Sequence, residues 1–233
     1  MGFLLLKNKM NKKIFTILVF VFFNAFSTTV SAEPPPEVAA VHIMTEALLS
    51  LKESKAQGKS SIEDVESLIV THLFPNMAIN ESTKLALKKH WPTLTPKQQL
   101  ILKTYIAVSL VDNYSAILAA YDDLDSIKIT ADPRVKRKGN KAIVKLLISI
   151  NGSSKPVAVS LKMILQDDWA IYDVVFSGVS LVKNYKATFN SHIKRKGIES
   201  LIAKASKTLR KHTEESCPVC IAMKLKKSVL ATK

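Results

Sequence analysis

The chain has 233 residues, 34 of them Lys or Arg and 19 Asp or Glu, for a formal charge of +15 at pH 7. The length suits one domain with a sizeable core. The basic excess comes without any nucleic-acid recognition motif, so the composition argues against a nucleic-acid partner.

The first 32 residues read as a secretion signal. Lys7, Lys9, Lys12 and Lys13 form a basic start, and Ile14 to Phe26 is an apolar run too short to span a bilayer comfortably. Val30-Ser31-Ala32 supplies small residues for cleavage before Glu33. Met10-Asn11-Lys12-Lys13 is a more usual start than Met1, and an uncleaved anchor is the competing reading. The mature chain would not open on a cysteine, which argues against a lipid anchor there. Cleavage removes six of the nine Phe and leaves Phe74, Phe176 and Phe189. It also leaves 30 basic and 19 acidic residues, or +11. Residues 194–233 hold eleven Lys/Arg against Glu199, Glu214 and Glu215, so most of that excess is C-terminal. That basic region reads as a solvated helix face plus tail, or as a surface for anionic headgroups or an acidic protein.

Pro34-Pro35-Pro36 suggests a stiff extended leader. A helix from Val38 aligns Val41, Met44, Leu48 and Leu51 on one face. Ser60 with Glu63 offers a capping box for a second helix to Leu73, which Phe74-Pro75-Asn76 ends. Ser82 to His90 suggests a short third helix. Thr95, Pro96 and Gln98 supply cap, first-turn proline and box partner for a long one carrying Ile101, Tyr105, Val108, Val111, Leu118 and Tyr121. That helix is apolar around much of its circumference and should be central.

After Asp122-Asp123 the apolar period becomes two. Ser126 to Lys138 reads as a strand interrupted at Asp132-Pro133. Lys141 to Ile150, Val157 to Leu165 and Trp169 to Phe176 follow, separated by Gly139-Asn140, Asn151-Gly152 and Asp167-Asp168 turns. The result is a four-stranded antiparallel meander with one wholly aliphatic face. Ser177-Gly178 then hands over to a helix stacking Leu181, Tyr185, Phe189 and Ile193. The expected class is α+β, a curved sheet covered by helices, over residues 33–212, with 213–233 as a flexible basic tail.

No catalytic constellation emerges. His42, His72, His90, His192 and His212 are scattered, with no cluster at metal-ligand spacing, no nucleophile elbow and no phosphate-binding glycine loop. Asp173 is a carboxylate in an apolar strand, where it could act as a shifted acid or hold backbone near the helix start. Cys217-Pro-Val-Cys220 reads as a local disulfide or an assembly contact, since no thioredoxin-like unit surrounds it.

The segment Trp169–Lys204 carries W-x-I-Y-D-V-V-x-x-G-V-S-L-V-x-N-Y-x-x-x-F and then I-x-x-x-G-I-x-x-L-I. It resembles the signature of the MlaC (toluene-tolerance) family. Trp91, Leu94-Thr95-Pro96-Lys97-Gln98-Gln99, Tyr105, Tyr114 and Tyr121 extend the likeness upstream. Lys186 stands where the signature usually has Arg, and Leu87-Lys88-Lys89 where it has a Leu-Gly pair. The resemblance implies a cone related to nuclear transport factor 2 with an apolar cavity, and treats Tyr172-Asp173 as structural. It further implies a periplasmic, monomeric, non-enzymatic carrier of glycerophospholipid, without a cofactor. The implied partners are an outer-membrane lipoprotein–porin complex and an inner-membrane ABC transporter with a ring of lipid-binding domains. The acyl chains are then expected against Tyr105, Val108, Leu146, Ile148, Val159, Leu161, Val174, Val179, Leu181 and Tyr185. Two readings stand beside this one. The first is a cargo-free adaptor for an acidic partner. The second is an enzyme on the same scaffold, which would need a convergent polar pair inside.

Overall fold

The computed structural model describes residues 33–215 and 217–224, so the expected secretion signal and the last residues of the tail lie outside the described residues. Helix α1 is Pro36–Ala56. The proline run is its cap rather than a detached leader: Pro35 sits at the N-cap and Pro36, with φ already fixed, opens the first turn. The Pro34 carbonyl accepts the Trp169 indole N–H at 3.0 Å, and Arg137 lies over that ring at 5.1 Å. Helix α2, Ile62–Leu68, has a capping box one residue later than expected, between Ser61 and Asp64. It continues through a π-turn, Ile69–Leu73, and a 3-10 turn, Phe74–Asn76.

Helix α3 is Ile79–Leu87, three residues earlier than the sequence pattern suggests, and a 3-10 stretch Lys88–Thr93 follows it. Helix α4, Pro96–Ala120, carries the expected Thr95–Gln98 capping box and runs through the middle of the helical layer. It packs against α2, against α6 (Ile198–Glu215) and against the short α7 (Pro218–Ala222). Residues 213–224, expected in the tail, thus include the end of α6 and all of α7, whose Val219 is buried beside Cys217 and Cys220. Those two cysteines are bonded to each other. On α6, Lys204, Lys207 and Lys211 face outward, while Leu201, Ile202, Ala205 and Leu209 pack inward.

The sheet has six strands where the pattern suggests four. β1 (Ile127–Ala131), β2 (Lys136–Lys138), β3 (Lys141–Ile150), β4 (Val157–Leu165), β5 (Trp169–Phe176) and β6 (Val179–Ser180) are all antiparallel to their neighbours, in the order β1-β3-β4-β5-β6 with β2 also on β3. The extra strands come from splitting, not from new segments. β1 and β2 are halves of the one expected strand, separated where the Asp132 carboxylate accepts from the Arg134 amide (3.0 Å) and guanidinium (2.7 Å). That guanidinium holds the Asp132 carboxyl well below the ordinary range. β6 is the short return after Ser177-Gly178, both with positive φ.

Register puts Ala142, Val144, Leu146 and Ile148 of β3 beside Met163, Leu161, Val159 and Val157 of β4, and then Leu161 beside Val174 of β5. This is the expected aliphatic face. α1 packs on it with Ala40 and Ile43. The final long helix, α5 (Leu181–Lys196), departs directly from β6.

Candidate functional site

A bulge in β5 builds the floor of the site. Lys162 pairs with Asp173 and Met163 with Ile171, so Tyr172 is left over and the strand bends there. Two carbonyls on its free edge are then taken by the approaching helix. The Ala78 amide donates to Ile171 O at 2.9 Å and Ser82 Oγ donates to Tyr172 O at 2.7 Å. These bonds dock α3 on the sheet edge. Lys141 adds to them by pairing with Glu81 at 2.6 Å and lying 5.2 Å over the Tyr172 ring.

Asp173 anchors the other side. Its Oδ2 accepts from Ser180 Oγ at 2.6 Å and from Lys162 Nζ at 2.8 Å, and its Oδ1 accepts the Val182 amide at 3.0 Å. Ser180 in turn caps α5 by accepting the Lys183 amide. The one acid in the apolar strand therefore holds backbone at the helix start, as the second sequence reading has it. Both its oxygens are engaged, and its charge is offset by Lys162.

Between these anchors lies a cavity of about 20 Å³, room for roughly one water. Its lining joins Ser82 and Ala86 of α3, Ile106 and Leu110 of α4, Val174 of β5, and Leu181 and Tyr185 of α5. The walls are almost wholly apolar. Burial first, and the neighbouring Tyr105 second, push the Tyr185 phenol up to about 12, so it stays neutral there.

Beyond the cavity both apolar surfaces become exposed. On α4 the stripe Ile106, Leu110, Tyr114, Ile117 passes from 2% exposed at Ile106 to 64% at Ile117. On the sheet the aliphatic face passes from buried Leu161 to exposed Phe176 and Val179. Both apolar surfaces thus run from enclosed to exposed side chains.

Of the expected wall residues, the structure brings Val174, Leu181 and Tyr185 together around the cavity. Ile148 and Val159 are half-buried on the same sheet face, and Val179 stands exposed at the turn. Leu146 and Leu161 lie in the core beneath α1. Tyr105 and Val108 belong to the helical core instead: Tyr105 packs on Phe189 at 6.3 Å between ring centres, and Val108 is fully enclosed. The face of α4 turned to the cavity is Ile106–Leu110, one residue round from Tyr105. A helix apolar on all sides gives no sequence signal for which stripe faces the sheet. Ser82, Ala86 and Tyr172 were also missed, because they are ordinary residues in pattern and depend on the bulge.

Among the described residues no helix is long and apolar enough to cross a membrane, and no three His, Cys, Asp or Glu are grouped to hold a metal ion. Comparison with known proteins gives three results. Residues 42–207 match the family described as MlaC protein. The chain is 28% identical over 171 residues to the toluene tolerance protein ttg2D of Pseudomonas putida, covering 72% of this chain and 77% of that one. Its fold is similar to that of a phospholipid-binding protein from Ralstonia solanacearum solved in complex with a phospholipid. The TM-score is 0.66 with 21% identity, over 75% of this chain and 96% of that one. At that identity the likeness speaks for the fold.

Proposed function

The chain belongs to the MlaC family, and from that premise we propose that it is a periplasmic carrier that holds the acyl chains of a glycerophospholipid in the cleft between α4, α5 and the aliphatic sheet face. The observation that carries this reading is the apolar lining at Ile106, Leu110 and Val174, with α4 and the sheet face each running on from it into exposed apolar side chains. The cavity at the base is far below the roughly 300–1,000 Å³ of ligand pockets, so loading separates α3, α4 and α5 from the sheet. Apolar walls without cargo close on each other, because an unfilled gap forfeits dispersion contacts.

Each buried CH₂ contributes on the order of 0.8 kcal/mol, which offsets removal of the lipid from a bilayer and makes unaided release slow. Handover therefore goes through docking partners: a lipoprotein–porin complex at the outer membrane and an ABC transporter with its ring of lipid-binding domains at the inner one. The headgroup stays at the mouth, in water. The role is binding and transport rather than catalysis. Asp173 is the acid at the cavity, and its oxygens are already held by Lys162, Ser180 and Val182.

The test is native mass spectrometry of the chain from Glu33, purified without detergent, with lipid extraction. About one phospholipid per protein is expected. In Leu110→Glu, which puts an unpaired charge on the wall, co-purified lipid should fall at least tenfold. A clean apo mass that persists after incubation with liposomes would reject the carrier and favour the cargo-free adaptor.

A further inference from the structure

Ten large apolar side chains are exposed among the described residues, and five of them, Tyr114, Ile117, Val157, Phe176 and Val179, meet at one end. Antiparallel pairing places the β3–β4 loop and the β5–β6 turn together there. The C-terminus of α4 reaches the same end, since the chain leaves it at Ala120 and starts β1 at Ile127, opposite Ile150. These five residues stand at one end of the molecule, and exposed apolar side chains grouped at one end call for an occupant.

The shape of this end and its charge identify the occupant. Phe176 and Val179 flank a two-residue turn with φ of 48° and 78°, which makes a narrow convex tip. A tip of that kind suits insertion into a soft surface better than a flat protein interface of standard size. Lys155 lies in the β3–β4 loop, and Lys183 and Lys186 lie in the first two turns of α5. Lys88 first, then partial desolvation, then Lys183 lower the Lys186 ammonium below its ordinary pKa, so cations stand near one another here. The acids Asp122 and Asp125 at this end are paired with Lys55 and Lys52 of α1. Apolar tips ringed by lysines are the chemistry of contact with anionic lipid.

We propose that this rim is a membrane-contacting surface: Phe176 and Val179, with Tyr114 and Ile117 across the cleft, seat in an anionic bilayer while Lys155 and Lys183 face its headgroups. The acyl chains then pass between bilayer and cleft without crossing water. This rests on the carrier reading, but it adds a direct contact with lipid that docking to protein partners does not require.

The test uses the chain from Glu33 with vesicles of phosphatidylglycerol and phosphatidylethanolamine, and phosphatidylcholine vesicles for comparison. Co-sedimentation should be at least fivefold greater with the anionic vesicles and should fall as salt rises. In Phe176→Trp, the introduced indole should shift to shorter emission wavelength and be quenched by brominated acyl chains, after subtraction of the parent signal. Phe176→Ser with Val179→Ser, and separately Ile117→Ser on another element, should each cut co-sedimentation at least threefold. An indole that stays in water, or serine variants that co-sediment like the parent, would overturn the proposal. Bound lipid is scored independently by extraction. Lipid present with no vesicle contact removes the rim and leaves the carrier; vesicle contact with no bound lipid supports the rim and removes the carrier.

Discussion

The two apolar regions of this molecule are built from the same kinds of residue and come to opposite ends. The helical layer is closed at its centre. Leu102, Ile106, Val108, Phe189, Leu201 and Leu209 are each at most 2% exposed, and Tyr105 and Tyr185 stack about Phe189. The sheet face is equally aliphatic: α1 buries Ala142, Val144, Leu146, Leu161 and Met163, but the face runs out into solvent at Phe176 and Val179. The difference lies in what each region has to close it. Six of the nine Phe lie in residues 1–32, and of the remaining three one fills the helical core while another stands at the rim. On the sheet the large buried aromatic, Trp169, sits at the end held by Pro34, and the face toward Phe176 is aliphatic, a seam that can be pried apart.

That contrast makes the largest expected effect a core substitution on the closed side. Phe189→Ala should lower unfolding free energy by about 3–5 kcal/mol, read by urea denaturation. A loss under about 1 kcal/mol would mean that the helical layer is as loose as the seam. Next comes the joint between the regions. Asp173→Asn leaves Lys162 unpaired and weakens the hold on Ser180 and Val182, and breaking such a pair costs about 3 kcal/mol when one partner is as enclosed as Asp173. Ser180→Ala should cost about 1 kcal/mol as a lost cap. If both variants unfold at the parent midpoint, the joint does not hold α5 to the sheet.

Between those two values comes the disulfide clamp on α7. Cys217→Ser with Cys220→Ser opens a short loop and should cost about 2 kcal/mol. Reductant should do the same to the parent protein and nothing further to the variant. Alkaline titration adds a finer probe of the seam. The Tyr185 phenol is held up to about 12 in the folded state against an unfolded value of 10. The unfolded chain therefore loses that proton first, so stability should fall as pH rises from 10 towards 12. Absorbance of tyrosinate should show one late-ionising residue, absent in Tyr185→Phe.

The sequence periodicity recovers the helices and strands well because each is announced locally. Thr95-Pro96 with Gln98 caps α4 where expected, and alternation finds the aliphatic face with its members in order. What it cannot give is anything decided by one element meeting another. The Ser61–Asp64 box displaces the Ser60–Glu63 alternative through a local hydrogen-bond choice between adjacent serines. The rotation of α4 that favours Ile106 and Leu110 over Tyr105 and Val108 is fixed by Phe189, more than eighty residues away. The floor of the site depends on a bulge at Tyr172 that leaves no mark in an apolar run. The resemblance of Trp169–Lys204 to a known family supplied the cargo class, while the physical pattern alone supplied a face and not a cavity.

The sharpest test of where the wall ends pairs one larger effect with the smallest. Val174 and Val179 lie on the same sheet face, and the same substitution can be made at each. Val174→Glu puts a carboxylate against Ile106, Leu110 and Tyr185. It should cost about 1–3 kcal/mol of stability if the charge stays unpaired, together with most of the bound lipid. Val179 was expected on that wall from its sequence position, yet the Ser177-Gly178 turn carries it out to 58% exposure. Val179→Glu should therefore change stability by no more than about 0.5 kcal/mol, as surface substitutions do, with its effect appearing in vesicle contact. Equal destabilisation by the two variants would mean that the cleft closes over the turn and that the rim belongs to the wall. A difference of the expected size would place the boundary between cavity and rim within five residues of chain, at the point where β5 gives way to β6.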